Sequence, residues 1–125
     1  MTFEENKHVR LFGYSLVLDK SKRIFKDSIA LPSQVSEITG ICAYLDNGTE
    51  HGCHGYLSLY NEKSNEQIIN TLRIANDKGN FNDKLVYVAN FPNKNNISYT
   101  FELGKVVDKI QPLKLVVLIQ YKEAI

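Results

Sequence analysis

Residues Ile38–Tyr60 read ITGICAYLDNGTEHGCHGYLSLY, and the relation between the two halves of this stretch decides the fold. Asn47-Gly48 stands near its middle. That dipeptide suits a two-residue type I′ turn, because both central residues need positive φ. With such a turn Asp46 faces Thr49, Tyr44 faces His51, Cys42 faces Cys53, Ile41 faces His54, Gly40 faces Gly55 and Ile38 faces Leu57. The stretch is expected to be a β-hairpin around which the other strands pack.

The hairpin carries both cysteines and two of the three histidines. Three readings fit them. Cys42 and Cys53 are two reduced core thiols, small hydrophobes side by side. Alternatively they form a cross-strand disulfide, since a hydrogen-bonded pair holds its Cα atoms about 5.5 Å apart. A signal peptide would favour that bond, and the sequence offers none. Thirdly, Cys42, His51, Cys53 and His54 have the ligand chemistry of zinc. Strand alternation opposes the zinc reading, because it puts His54 on the face opposite Cys53. No metal and no cofactor is therefore expected. His51 beside Tyr44, with Glu50 or Asp46 near, is the remaining place for acid–base chemistry, but the sequence supplies no second group for such a pair. His8 stands alone near the start of the chain.

Outward from the hairpin, most segments alternate. Over Val9–Leu18, Phe12, Tyr14, Leu16 and Leu18 share one face, while Val9, Leu11 and Val17 share the other, which predicts a strand covered on both sides. Phe25, Ile29 and Leu31 mark a second strand ended by Pro32. Leu85–Phe91 reads as a buried strand, and Pro92–Asn96 as a five-residue hairpin loop joining it to Ile97–Leu103. Gly104 marks a bend before Val106 and Val107, and the last strand runs from Leu113 to Tyr121. Lys78–Asp83 is a loop by composition.

Ser64–Asp77 is ambiguous. Ser64 and Gln67 fit a capping box. Ile68, Ile69, Leu72 and Ala75 would share a helical face, whereas Ile68, Leu72 and Ile74 share a strand face. The isoleucines favour a strand, with a short helix near 65–76 as the alternative. The expected fold is all-β: an antiparallel jelly-roll or Greek-key sandwich of seven or eight strands in one domain over 1–125, with an up-and-down barrel as second choice.

The totals narrow the function. The 125 residues hold 15 basic and 14 acidic side chains, with 43% hydrophobic content. That balance gives no basic stripe for nucleic acid and no field for an anionic membrane. MTFEENKHVR lacks the apolar core of a secretory signal, and the longest apolar run, Leu115–Ile119, is far short of a spanning helix, so the chain is expected to be made in the cytoplasm. Phosphate loops, nucleophile elbows and HExxH are absent from the sequence, and a non-enzymatic role is expected.

LPSQVSEITGI (31–41), followed by a glycine-containing turn and GYLSLY (55–60), resembles small β-sandwich structural proteins of tailed bacteriophages, such as head-decorating or fibre-associated subunits. The resemblance covers Leu31–Tyr60 and carries no site residue. It implies a virion protein that assembles with other protein subunits, as a homo-oligomer with a trimer as one form. The other reading is a small-ligand or carbohydrate-binding barrel or sandwich with a row of Tyr56, Tyr60 or Tyr87. Tyr56 and Tyr60 lie opposite Leu57 and Leu59, so they either pack under a second layer or, with His54, form a contact surface.

Overall fold

The computed structural model describes residues 9–19, 22–46, 54–74, 86–92, 96–104 and 113–123. The Asn47-Gly48 tip, His8, His51, Cys53, Ala75, the loop 78–83, Leu85 and the Val106-Val107 pair lie outside them. The described residues hold eight strands: β1 (Val9–Val17), β2 (Ile24–Ile29), β3 (Val35–Asp46), β4 (Gly55–Asn61), β5 (Gln67–Ile74), β6 (Val86–Pro92), β7 (Ile97–Leu103) and β8 (Lys114–Glu123). They form two antiparallel four-stranded sheets, ordered β1-β8-β3-β6 and β2-β7-β4-β5. The fold is a jelly-roll sandwich.

This order has a simple logic. β1 pairs with β8, β2 with β7, β3 with β6 and β4 with β5. The chain is one long antiparallel hairpin with β4 and β5 at its tip. Rolling it up adds the contacts β3–β8 and β4–β7, which close the two sheets. The core fills the space between them. Ile38, Ile41, Leu45, Leu115, Val117 and Ile119 of the first sheet meet Leu57, Leu59, Ile69, Ile97, Phe101 and Leu103 of the second, all buried. Each such side chain contributes roughly 1.5–3 kcal/mol by leaving water. Strict alternation along β7 and β8 is what this two-layer packing requires.

Two sequence expectations fail here. β3 and β4 are not a hairpin, because they lie in different sheets. Cys42 is opposite Leu118, Ile41 opposite Ile119, and Gly40 opposite Gln120 and Tyr87. Gly55 is opposite Ile74 and Leu103 instead of Gly40. The same holds for β6 and β7, which flank the Pro92–Asn96 connection in opposite sheets. A short connection limits how far the chain travels and does not select which edges bond. Stacked sheets lie about 10 Å apart, within reach of a few residues.

Among the described residues, the consecutive strands that do pair are β4 and β5, joined through Asn61–Glu66. Asn61 is buried and holds this turn. Its Oδ1 accepts hydrogen bonds from the Lys63 N–H (3.0 Å), the Ser64 N–H (2.9 Å) and the Ser64 hydroxyl (3.1 Å). Its own N–H donates to the Glu66 carbonyl (2.8 Å), and Asn65 takes a left-handed φ of 61°. Ser64 therefore serves a turn and caps no helix, and the short helix near 65–76 gives way to β5. The ambiguity of that stretch has a cause: the β4–β5 register shifts twice, and Thr71 has φ 22°. Each bulge moves the inward phase by a residue, so Ile69 and Ile74 are both buried despite odd spacing. β3 uses the same device. Its register shifts skip Ser36 and Thr39, whose hydroxyls donate to the Lys122 carbonyl (3.0 Å) and to the Gln120 carbonyl (3.3 Å) and side chain (3.0 Å). Ile38 and Ile41 can then both face inward.

Candidate functional site

Four places collect polar or exposed groups: the start of β4, its outer face, the open margin between β1 and β2, and the outer face of the first sheet. His54 immediately precedes β4. Its carbonyl accepts the Gly104 N–H at 2.9 Å, and its ring meets Tyr56 edge-on, with centroids 5.7 Å apart. A Cβ at position 104 would come within 2.9 Å of the imidazole, so the glycine at this bend makes room for His54. Gly55 has a packing role too, since a Cβ there would run into the Phe101 ring.

Leu57 and Leu59 point inward, which turns Tyr56, Ser58 and Tyr60 outward. Tyr56 is 39% exposed and Tyr60 half-buried, so this face is not packed under a second layer. Tyr56 lies opposite Arg73 and Glu102, and Tyr60 opposite Gln67 and Ser98. Tyr87 belongs to β6 in the other sheet and does not extend this row. The structure thus brings His54 and Tyr56 into contact and keeps Tyr60 on the same face, four residues further along β4.

Between the margins of the two sheets, beside β1 and β2, lies an open cleft of about 230 Å³. Leu16, Val17, Ile24, Phe25 and Tyr99 form its apolar part, and Asp19, Lys22, Lys26 and Asp27 supply its charges. It is smaller than the roughly 300–1,000 Å³ usual for small-molecule sites. The hydroxyls of Tyr99 and Tyr14 share a 2.7 Å hydrogen bond, with the rings edge-to-face at 5.5 Å. Burial, then the bond to Tyr14, then the negative charge of Asp27 hold the Tyr99 hydroxyl well above the usual tyrosine range. Its proton stays in place at neutral pH, which suits it to packing and hydrogen bonding and leaves it a poor base. The Tyr44 hydroxyl is also raised, by burial and by the charges of Asp46 and Cys42.

The outer face of the first sheet departs most from the sequence reading. β1 was expected to be covered on both sides, yet Leu11 is 56% and Val17 60% exposed. Across this face run the rows Gly13–Leu118–Cys42 and Ser15–Val116–Tyr44. Leu118 lies close enough to Gly13 that a Cβ there would touch it at 3.4 Å. Cys42 points to this outer side and is nevertheless buried. The sequence did carry the signal, as apolar residues on both faces of 9–18; it could not say whether the cover is the chain itself. Cys42 lies in the first sheet and His54 before the first residue of β4 in the second, and no group of three or more His, Cys, Asp or Glu among the described residues is placed to hold a metal. No helix among them is long and apolar enough to cross a membrane.

No family model matches the chain, and no curated protein matches it. Among solved structures, the crystal structure of the infectious bursal disease virus VP2 subviral particle is similar to it at 14% sequence identity and a TM-score of 0.33. The similarity covers 93% of this chain and 38% of that one, so the chain spans well under half the length of that protein. At that TM-score the jelly-roll assignment stands on the strand order alone.

Proposed function

We propose that the protein is a non-enzymatic structural subunit that works through surface contacts with other protein subunits, copies of itself included. The observation that carries this reading is the outer face of the first sheet, where Leu11 and Val17 stand exposed opposite Gln120 and Lys114, with Leu118 and Val116 in the two rows between them. Exposed apolar side chains that share one outer face with half-buried ones such as Val116 and Leu118 suit a protein contact surface. The finer reading, a head-decorating or fibre-associated subunit of a tailed-phage virion, rests on the Leu31–Tyr60 pattern. Its support is the alternation of the two strands, since the turn between them does not join ladder partners.

Sedimentation of the purified chain tests the proposal. The expected result is a mass that is a multiple of 14.3 kDa, a trimer among the possible forms, with concentration-dependent dissociation. A monomer at every accessible concentration would sink it.

Tyr56 supports a second reading, a carbohydrate-binding face. An exposed aromatic ring buttressed by His54 and flanked by Arg73 and Glu102 could stack on a sugar. Retention on immobilised polysaccharides that Tyr56→Ala abolishes would favour it over the first.

A further inference from the structure

The four sheet margins are not alike. β2 has six residues and carries exposed Lys26 and Asp27. β5 has two register shifts and a positive φ at Thr71. β6 pairs across a register shift and ends at Pro92. Short length, charge, bulges and proline are the standard ways of blunting a sheet edge against further pairing. β1 is long, unbulged and free of proline. It runs nine residues in an unbroken nine-pair ladder with β8, and its single charge, Arg10, is held by Glu123 at 2.7 Å. Nothing among the described residues pairs with its other side.

The phase of the ladder says which backbone groups face that side. The Leu18 N–H donates to the Leu113 carbonyl at 2.9 Å, which continues the β1–β8 register by one pair. Hydrogen-bonded pairs alternate in an antiparallel ladder. The backbone groups of Arg10, Phe12, Tyr14 and Leu16 therefore point at β8, and those of Val9, Leu11, Gly13, Ser15 and Val17 point at the open edge. The same odd-numbered residues carry the outward side chains, including Leu11 and Val17.

We infer that β1 pairs antiparallel with β1 of a second copy, about a two-fold axis through Tyr14, to make a continuous eight-stranded sheet. This deepens the assembly reading and rests on it. A two-fold normal to the sheet must pair odd residues with odd ones, and in this register it sets Leu11 opposite Val17, Gly13 opposite Ser15 and Phe12 opposite Leu16. The two exposed apolar side chains then cover each other, and about eight backbone hydrogen bonds form. Tyr14 meets its own copy as an aromatic cross-strand pair. No like charges oppose in this register.

Two variants test this on the whole chain. Ser15→Pro removes an N–H that faces the open edge and leaves the β8 ladder intact, a place where strands tolerate proline. Its sedimenting mass should fall to half the wild-type value or less, with the circular dichroism spectrum retained. An equimolar mixture of Leu11→Cys and Val17→Cys should oxidise to a covalent dimer, while neither variant alone does, because that pair sits at disulfide distance. This readout holds even where Ser15→Pro folds poorly. A wild-type assembly whose mass Ser15→Pro leaves unchanged, a closed trimer, or cross-linking that is equal in the single variants and the mixture would each overturn the β1 pairing and leave the assembly reading standing. A wild-type monomer would remove both.

Discussion

On β4 the side chains turned away from the core are Tyr56, Ser58 and Tyr60, beside Ser98, Thr100 and Glu102 of β7. On β1 they are Leu11, Gly13, Ser15 and Val17, beside Gln120, Leu118, Val116 and Lys114 of β8. β1 is an edge strand and β4 an inner strand of one sandwich, and their inner faces join the same core. A polar outer face satisfies the second sheet, apart from Ile24 at its β2 margin. The jelly roll thus has no need of an apolar outer surface. On the proposed function, Leu11, Leu118 and Val17 of the first sheet serve contact with another subunit.

If the inner faces are equivalent, truncating either should cost alike. Phe101→Ala in the second sheet empties a fully buried ring position beside Phe25, whose ring centroid is 6.4 Å away, and should cost about 3–5 kcal/mol. Leu115→Ala in the first should cost about 2–5 kcal/mol. Urea denaturation reads both as shifts in midpoint at a common slope. A loss on one side only would mean that the sheets do not share one core. Next in size is the β4–β5 turn. Asn61→Ala leaves the N–H groups of Lys63 and Ser64 without their acceptor and should cost about 1–3 kcal/mol. Asn61→Asp keeps the acceptor and should retain most of that stability in the same titration.

These two cases also mark what the sequence reveals. The alternation in Ile97–Leu103 and Leu113–Tyr121 is local, so β7 and β8 are legible from it. The partners are not. Asn47-Gly48 has strong turn chemistry, but β3 bonds to β8 and β6, dozens of residues away, and no local signal reports that. The turn that does join neighbours, NEKSN at 61–65, lacks the glycine of a tight hairpin and works through one buried side chain. Bulges at Ser36, Thr39 and within β5 shift the periodicity that would have separated strand from helix. At the candidate sites, the outward direction of Tyr56 and Tyr60 was readable from Leu57 and Leu59. Their exposure was not, because it depends on what covers the sheet. The same ignorance of cover concealed the open face of β1.

The Tyr14–Tyr99 pair links β1 of one sheet to β7 of the other and should contribute about 0.5–1.5 kcal/mol, read as the coupling in a cycle of Tyr14→Phe and Tyr99→Phe. Its pH dependence has a definite sign. In the unfolded chain Tyr99 ionises near 10.0, whereas in the folded protein its hydroxyl stays protonated above that. The unfolded state therefore binds fewer protons above pH 10, and stability falls as pH rises through and beyond that value. Tyr99→Phe should flatten this part of the profile in urea titrations at pH 8 and pH 11. An unchanged slope would mean that the hydroxyl is solvated rather than held in the core.

The smallest effect on stability is the one that separates the outer faces. Val17→Thr keeps the shape of a strand residue that is 60% exposed, and Tyr56→Thr trims one that is 39% exposed. Neither change opens a cavity or leaves a buried polar group unpaired, so each should move the folding free energy by no more than about 0.5 kcal/mol. Association should tell them apart. A hydroxyl in place of a methyl at position 17 puts a polar group into the contact between copies, where it must give up water, and should weaken assembly in sedimentation at unchanged stability. Tyr56→Thr alters a face already dressed for solvent and should leave the mass alone. Equal behaviour of the two would erase the distinction between the sheets. A mass that fell with Tyr56→Thr and held with Val17→Thr would reverse it and move the contact surface to β4.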